Sequence, residues 1–257
     1  MESTPGSTGA TSEMGAVSRL LNVYFSPAKT FESIGRKRGW DWLVPVVILL
    51  ALSILGALIV SPKLDVDDAV RQQMQRMEKM RPGMTDGDRA KIEEASRKGM
   101  KAMTSGPWRF VATTLVPIMI FFVPLLYHGV ALAWGKATSY LTVVAAYAYV
   151  QMVQVVKGVL LLAVAAPRKS IGITEVGSLL KSNLGAFMNP ETASRPLLTL
   201  ASNVDIFDLW AIVVGAIALS RVTRLSTRGA ALTVLGLWAL WVCVQLAGAL
   251  IGAAFGG

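Results

Sequence analysis

Five long apolar segments, separated by polar stretches, dominate the hydrophobic pattern of the chain. The first segment runs from Trp42 to Pro62 and contains no charged residue. An α-helix rises about 1.5 Å per residue, so about 20 apolar residues cross the ~30 Å hydrocarbon core of a bilayer. The pattern predicts an all-α fold, an integral membrane bundle of five transmembrane helices. We expect the spans at about 42–61, 109–134, 139–166, 204–220 and 229–254.

The stretch between the first two spans, residues 63–107, is charged and rich in methionine. Its apolar residues recur at helical spacing, and Arg81-Pro82-Gly83 interrupts that pattern. Thr85 and Asp88 then have the spacing of a helix-capping pair. We therefore expect an extramembrane helical hairpin insert, with helices near 66–80 and 86–103 that turn at Pro82-Gly83.

The N-terminal part of the chain precedes the first span. Residues 1–14 are mostly Ser, Thr, Gly and Pro, a composition typical of a disordered tail. The membrane domain then covers 15–257. Its first residues have helical apolar spacing, and Ser26 before Pro27 indicates the start of a second helix. We interpret this segment as two short amphipathic helices on the membrane surface. Their basic residues would face lipid phosphates; they are Arg19, Lys29, Arg36, Lys37 and Arg38.

The composition supports a membrane protein. Only 16% of the 257 residues are charged and 53% are hydrophobic, whereas a soluble domain carries about 25% charged residues. The net charge of +9 does not indicate nucleic-acid binding, because the basic residues lie between apolar runs and form no separate basic domain. Cys243 is the only cysteine, so the chain forms no internal disulfide.

The short basic segments predict the orientation in the membrane. Arg36, Lys37 and Arg38 precede the first span, and the 221–228 loop carries arginines without a neighbouring acid. Short basic loops favour the cytoplasmic side. We therefore expect the N-terminus and the 221–228 loop in the cytoplasm, with the hairpin and the C-terminus outside.

Lys157 is the most informative polar residue, because it lies inside the third apolar segment. A charge deep in a span costs about 2.5–3.5 kcal/mol on insertion scales, so it is paired, faces water or extends to the interface. Gln151 and Gln154 precede it at three-residue steps and form a polar stripe with it. We expect Asp208, near the start of the fourth span, to neutralise Lys157. The stripe fits either interhelical hydrogen bonding or a polar path for a proton or small solute.

The remaining candidates favour packing over chemistry. His128 is the only histidine and cannot build a metal site alone. We include it among the intramembrane polar candidates and interpret it as a hydrogen-bonded intramembrane histidine, with proton handling as the alternative. Four methionines recur along one helix of the hairpin and its turn, namely Met74, Met77, Met80 and Met84. They are typical of an adaptable helix contact, with Cu(I) binding as the alternative. We predict no catalytic residue, no metal and no cofactor.

Glycines recur every four residues in the last span, at Gly248, Gly252 and Gly256. Small residues at this spacing let two helices approach closely. The contact would lie within the chain or between two copies in a homo-oligomer.

Three segments resemble the Yip family (Ypt-interacting protein, or Yip-one domain), and most closely its prokaryotic branch. They are FSPAKTFESI at 25–34, AAYAYVQMV at 145–153 and DIFDLWAIVVGAIALSRVTRLSTRGA at 205–230. The resemblance implies a five-helix fold with a cytoplasmic N-terminus. Eukaryotic relatives of this family associate with Rab-type GTPases and with vesicle trafficking.

These observations together predict a non-enzymatic polytopic membrane protein of the Yip type. We expect it in a bacterial cytoplasmic (inner) membrane, where it binds partner proteins or organises the membrane. Its expected partners are the lipid bilayer and other membrane proteins, and not nucleic acid. The alternative is a small transporter or channel subunit that uses the polar stripe around Lys157.

Overall fold

The computed structural model describes residues 14–36, 40–81, 83–136, 138–173, 175–189 and 192–254. Almost all of the predicted tail, Lys37 and Arg38, Pro82 of the predicted turn and Gly256 lie outside these residues.

The described chain is a helical bundle with one small two-stranded parallel ribbon. The strands are β1 (Leu64–Asp65) and β2 (Ile171–Gly172), with Leu64 opposite Ile171. The α-helices, in chain order, are α1 (Ala16–Phe25), α2 (Pro27–Arg36), α3 (Leu43–Val60), α4 (Val66–Met80), α5 (Asp86–Thr104), α6 (Val111–Ala133), α7 (Tyr140–Val150), α8 (Met152–Ala165), α9 (Arg195–Asn203), α10 (Ile206–Val222) and α11 (Thr227–Ala254).

Four helical stretches of the described chain are long and apolar enough to cross a membrane. They are Leu43–Lys63, Gly106–Ala133, Tyr140–Ala165 and Thr227–Gly252. They match the first, second, third and fifth predicted spans and make the chain an integral membrane protein. Helix α10 lies at the predicted fourth span but has only 17 residues, about 25 Å of helix. A crossing by α10 therefore stays a prediction.

The third span has a local break that the sequence analysis did not anticipate. Gln151 separates α7 from α8, and its N–H bonds the Tyr147 carbonyl at 3.0 Å. The Gln154 N–H then bonds the Gln151 carbonyl at 2.9 Å, a tighter turn than an α-helix makes. The Tyr24 hydroxyl donates to the carbonyl of Met152, directly after the break, at 2.7 Å.

The main core lies between α7, α8, α10 and the two N-terminal helices. Val23 of α1 and Phe31 of α2 are fully buried against these three helices. Arg19 is also buried, and its Nε donates to the Ser33 hydroxyl at 2.8 Å. The expectation that Arg19 faces lipid phosphates is therefore wrong, because the side chain is buried against Ser33. The location of α1 and α2 on the membrane surface stays a prediction.

Contacts distant in sequence define the two ends of the bundle. At one end, β1 pairs with β2, and the Lys63 ammonium donates to the carbonyls of Ala165 and Ala166 at the end of α8. At the other end, Glu32 of α2 forms an ion pair with Arg221 at 2.8 Å. The start of the 63–107 insert and the segment after α8 therefore share one end, and the 221–228 loop lies with α2 at the opposite end.

Helices α4 and α5 form the 63–107 insert. Asp65 caps α4 by accepting the Asp68 N–H at 2.8 Å, and Thr85 caps α5. Ion pairs join Glu78 to Arg89 and Asp67 to Arg97, so early residues of one helix lie beside late residues of the other. The two helices are therefore antiparallel, as their short connection requires. Their position outside the bilayer stays a prediction.

Candidate functional site

Lys157 lies in an ion-pair cluster where α8 meets the start of α10. Its Nζ is 3.0 Å from Oδ2 of Asp205 and 3.9 Å from Oδ2 of Asp208. The Asp205 side chain is 1% exposed, whereas that of Asp208 is 34% exposed. Asp208, the expected partner, is thus within ion-pair distance of Lys157, but Asp205, which the expectation did not include, lies closer. Asp205 is closer because its position at the helix N-terminus holds its carboxylate inside the bundle.

Asp205 is held in place by neutral donors as well as by Lys157. Its Oδ1 accepts the Phe207 N–H at 2.8 Å, which caps α10. Its Oδ2 accepts the Ser182 hydroxyl at 2.5 Å. The backbone supports this arrangement, because the Ile206 N–H bonds the Ser182 carbonyl at 3.1 Å. The buried carboxylate of Asp205 therefore has a cation and two further donors to offset the cost of its burial.

Asp208 connects the cluster to the predicted glutamine stripe. Its Oδ1 accepts the Gln154 side-chain amide at 2.8 Å. The structure thus brings Lys157, Gln154 and Asp208 together. Gln151 lies one turn away and lines the groove described below, together with Gln154 and Asp208.

An amide pair lies beside this cluster. The Gln245 amide of α11 donates to Oδ1 of Asn203, the last residue of α9, at 2.9 Å. The sequence did not mark Asn203 or Ser182 as site residues, because both lie in the polar linker between the third and fourth predicted spans, where polar side chains are common. Asp205 carried a recognisable signal, since an aspartate directly before an apolar run is a typical helix N-cap.

His128 does not belong to the Lys157 cluster. Its ring packs edge-on against Tyr140 with centroids 5.8 Å apart. Tyr140 begins the third span, and Lys157 lies about 25 Å further along the helices. The buried Nδ1 of His128 has no hydrogen-bond partner among the described residues.

The described residues include no group of three or more His, Cys, Asp or Glu side chains that could hold a metal ion. Of the predicted methionine series, Met74 is only 3% exposed and lies one turn after the buried Val70. In the last span, a Cβ added to Gly248 would meet no described residue within 4 Å, and one added to Gly252 would lie 3.7 Å from Arg195. Gly248 therefore faces away from the part of the chain that the structure describes.

An elongated groove of about 590 Å³ runs between α6, α7, α10 and α11. Aliphatic and aromatic side chains line most of it. Gln154, Asn203 and Asp208 lie at one end, next to the Lys157 cluster. The groove therefore has the form of an apolar trough with a polar end.

The family model described as Yip1 domain matches residues 21–249, which is most of the chain. No curated protein and no solved structure matches the chain.

Proposed function

Because the chain belongs to the Yip1 domain family, we propose that it is a non-enzymatic membrane protein that binds partner membrane proteins or organises the bilayer. The main support for this proposal is that the buried carboxylate of the Lys157 cluster is bonded to partners within the chain. Asp205 accepts from Lys157, Ser182 and Phe207, so these groups hold α8, the linker and α10 together. Such a cluster links three segments of the chain and so suits a scaffold.

The proposed topology has five crossings, with α10 as the fourth. The N-terminus and the 221–228 loop would lie in the cytoplasm, and the hairpin and C-terminus outside a bacterial inner membrane. The ion pair of Glu32 in α2 with Arg221 supports this arrangement, since it brings α2 beside the basic 221–228 loop. The apolar outer face of α1, with Leu21 63% exposed and Phe25 83% exposed, would contact lipid.

Crosslinking in native membranes, followed by affinity purification, tests the proposed role. We expect one or a few membrane proteins to co-purify in stoichiometric amounts through repeated detergent washes. An unrelated polytopic protein with the same tag and expression level is the control. Equal recovery of the same proteins with the control would contradict the partner-binding proposal.

Transport is the second candidate, because the groove reaches Gln154 and Asp208 and offers a partly polar route. A liposome flux assay that compares wild type with Lys157→Ala separates the two candidates. We expect both proteins to show the same ion and solute leak as empty liposomes. A wild-type flux that Lys157→Ala abolishes, while the variant stays folded, would favour the transporter.

A further inference from the structure

The groove between α6 and α11 is closed at one end and open at its flank. At the closed end, Ala131 of α6 packs with Leu225 and Ala230 around the start of α11. Towards the polar end, Phe122 of α6 and Trp241 of α11 border the groove and remain 52% and 61% exposed. Both residues lie within candidate membrane spans, so in a membrane this open flank would face the hydrocarbon core, where a lipid can enter it.

Small side chains make the groove deep. Its back wall carries Ala146 of α7 and Ala211, Gly215 and Ala218 of α10. A Cβ on Gly215 would reach ordinary van der Waals distance from Val234, at 3.6 Å. A bulky side chain on this wall would therefore occupy the groove. The volume of about 590 Å³ falls within the ~300–1,000 Å³ that is common for small-ligand sites.

The length of the groove suits one lipid chain. From Asp208 to Val222, both of which line it, α10 rises about 21 Å. One leaflet of the hydrocarbon core is about 15 Å deep. An acyl chain that enters at the polar end therefore fits between the two ends without leaving the apolar wall.

At the polar end the carboxylate of Asp208 lines the groove, and the ammonium of Lys157, which is not a lining residue, lies beside that carboxylate. Lys157 is 31% exposed and Asp208 is 34% exposed, with their charged atoms 3.9 Å apart. An ammonium has three donors, and Asp205 takes one of those of Lys157. The carboxylate of Asp208 keeps acceptor capacity beyond its bond to Gln154. With Asp205 the cluster contains one cation and two carboxylates, so it complements a headgroup that carries an ammonium better than a purely anionic one.

We infer that the groove binds one phosphatidylethanolamine molecule, with an acyl chain along α10, its ammonium at Asp208 and its phosphate at Lys157. This site goes beyond the proposed function and does not depend on it. Binding requires no covalent step, and the apolar wall supplies most of the contact.

Native mass spectrometry of the purified full chain tests the inference. With equal amounts of phosphatidylethanolamine and phosphatidylglycerol in the detergent, we expect wild type to retain one phosphatidylethanolamine. The Ala211→Phe variant should retain about tenfold less, equivalent to about 1.4 kcal/mol, because the ring fills the groove. The matched control is Ala51→Phe, on an exposed position of α3, which should retain as much as wild type. The Asp208→Asn variant should lose the preference for phosphatidylethanolamine.

A second measurement needs no substitution and so does not depend on the folding of a variant. Phosphatidylethanolamine with a photoreactive acyl chain should label groove-lining peptides of α10 and α11 several-fold more than the α3 peptide that contains Ala51. Equal labelling of α3 would overturn the inference. Equal retention by wild type and Ala211→Phe, equal binding of phosphatidylglycerol by wild type, or a second copy of the chain crosslinked into the groove would overturn it too.

Discussion

Replacing Lys157 with methionine should destabilise the protein, because it removes the cation nearest to a carboxylate that is 1% exposed. Truncating one partner of a fully buried ion pair costs about 3–5 kcal/mol. The Lys157 side chain is 31% exposed, and Ser182 and Phe207 still donate to Asp205, which lowers the expected cost. We therefore expect a loss of about 2–3 kcal/mol in the free energy of unfolding.

Double-mutant cycles then separate the two carboxylates. Lys157 lies at hydrogen-bond distance from Asp205 but at 3.9 Å from the more exposed Asp208. We expect a coupling energy of about 2 kcal/mol for Lys157→Met with Asp205→Asn. With Asp208→Asn the coupling energy should stay below about 1 kcal/mol, as for exposed pairs.

Reversible unfolding in mixed micelles, titrated with sodium dodecyl sulfate and followed by tryptophan fluorescence, measures these free energies. Lys29→Met is the control for losing a lysine, because Lys29 is exposed on α2; it should change stability by less than about 0.5 kcal/mol. A larger coupling energy with Asp208 than with Asp205 would refute the assignment of the main ion pair. So would a Lys157→Met variant as stable as wild type.

Three further outcomes are expected. Tyr24→Phe should cost about 1 kcal/mol in the same unfolding assay, because it removes the hydroxyl that bonds Met152; unchanged stability would contradict the docking of α1. Glu32→Gln should cost less than about 1 kcal/mol, since its ion pair is exposed, and a larger loss would show that the pair is not a surface one. In a Cys243→Ser background, cysteines at Ser3 and Ser96 should react with impermeant reagents from opposite sides of the membrane; labelling of both from one side would exclude the five-span topology.

The sequence could determine the long spans, because the bilayer imposes a simple local rule. Every backbone polar group in hydrocarbon must be satisfied within the helix, and the side chains must be apolar over about 20 residues. The run that begins at Trp42 meets this rule without any long-range information. The α10 segment meets it only in part, since its helix ends after 17 residues, and the sequence pattern alone does not resolve such a case.

The capping signals were also local. Thr85 and Asp205 start helices because their side chains bond N–H groups within the next three residues. The break at Gln151 had no comparable signal, because residues with ordinary helix-forming ability surround it. Directly after the break, the Met152 carbonyl accepts the hydroxyl of Tyr24, a residue far away in the sequence.

Only the tertiary structure decided which surfaces meet. The spacing of apolar residues in α1 and α2 revealed that each helix has an apolar face. A lipid headgroup layer and a helical bundle can both cover such a face, so the pattern did not show that Arg19 would be buried beside Ser33. The position of Lys157 within an apolar segment implied a partner of opposite charge, and the sequence offers two aspartates one helical turn apart, Asp205 and Asp208. Asp205 is the closer of the two because the Ser182 hydroxyl, which belongs to the linker, donates to its carboxylate and holds it beside the ammonium of Lys157. Such choices depend on the packing of segments far apart in the chain, which no local pattern encodes.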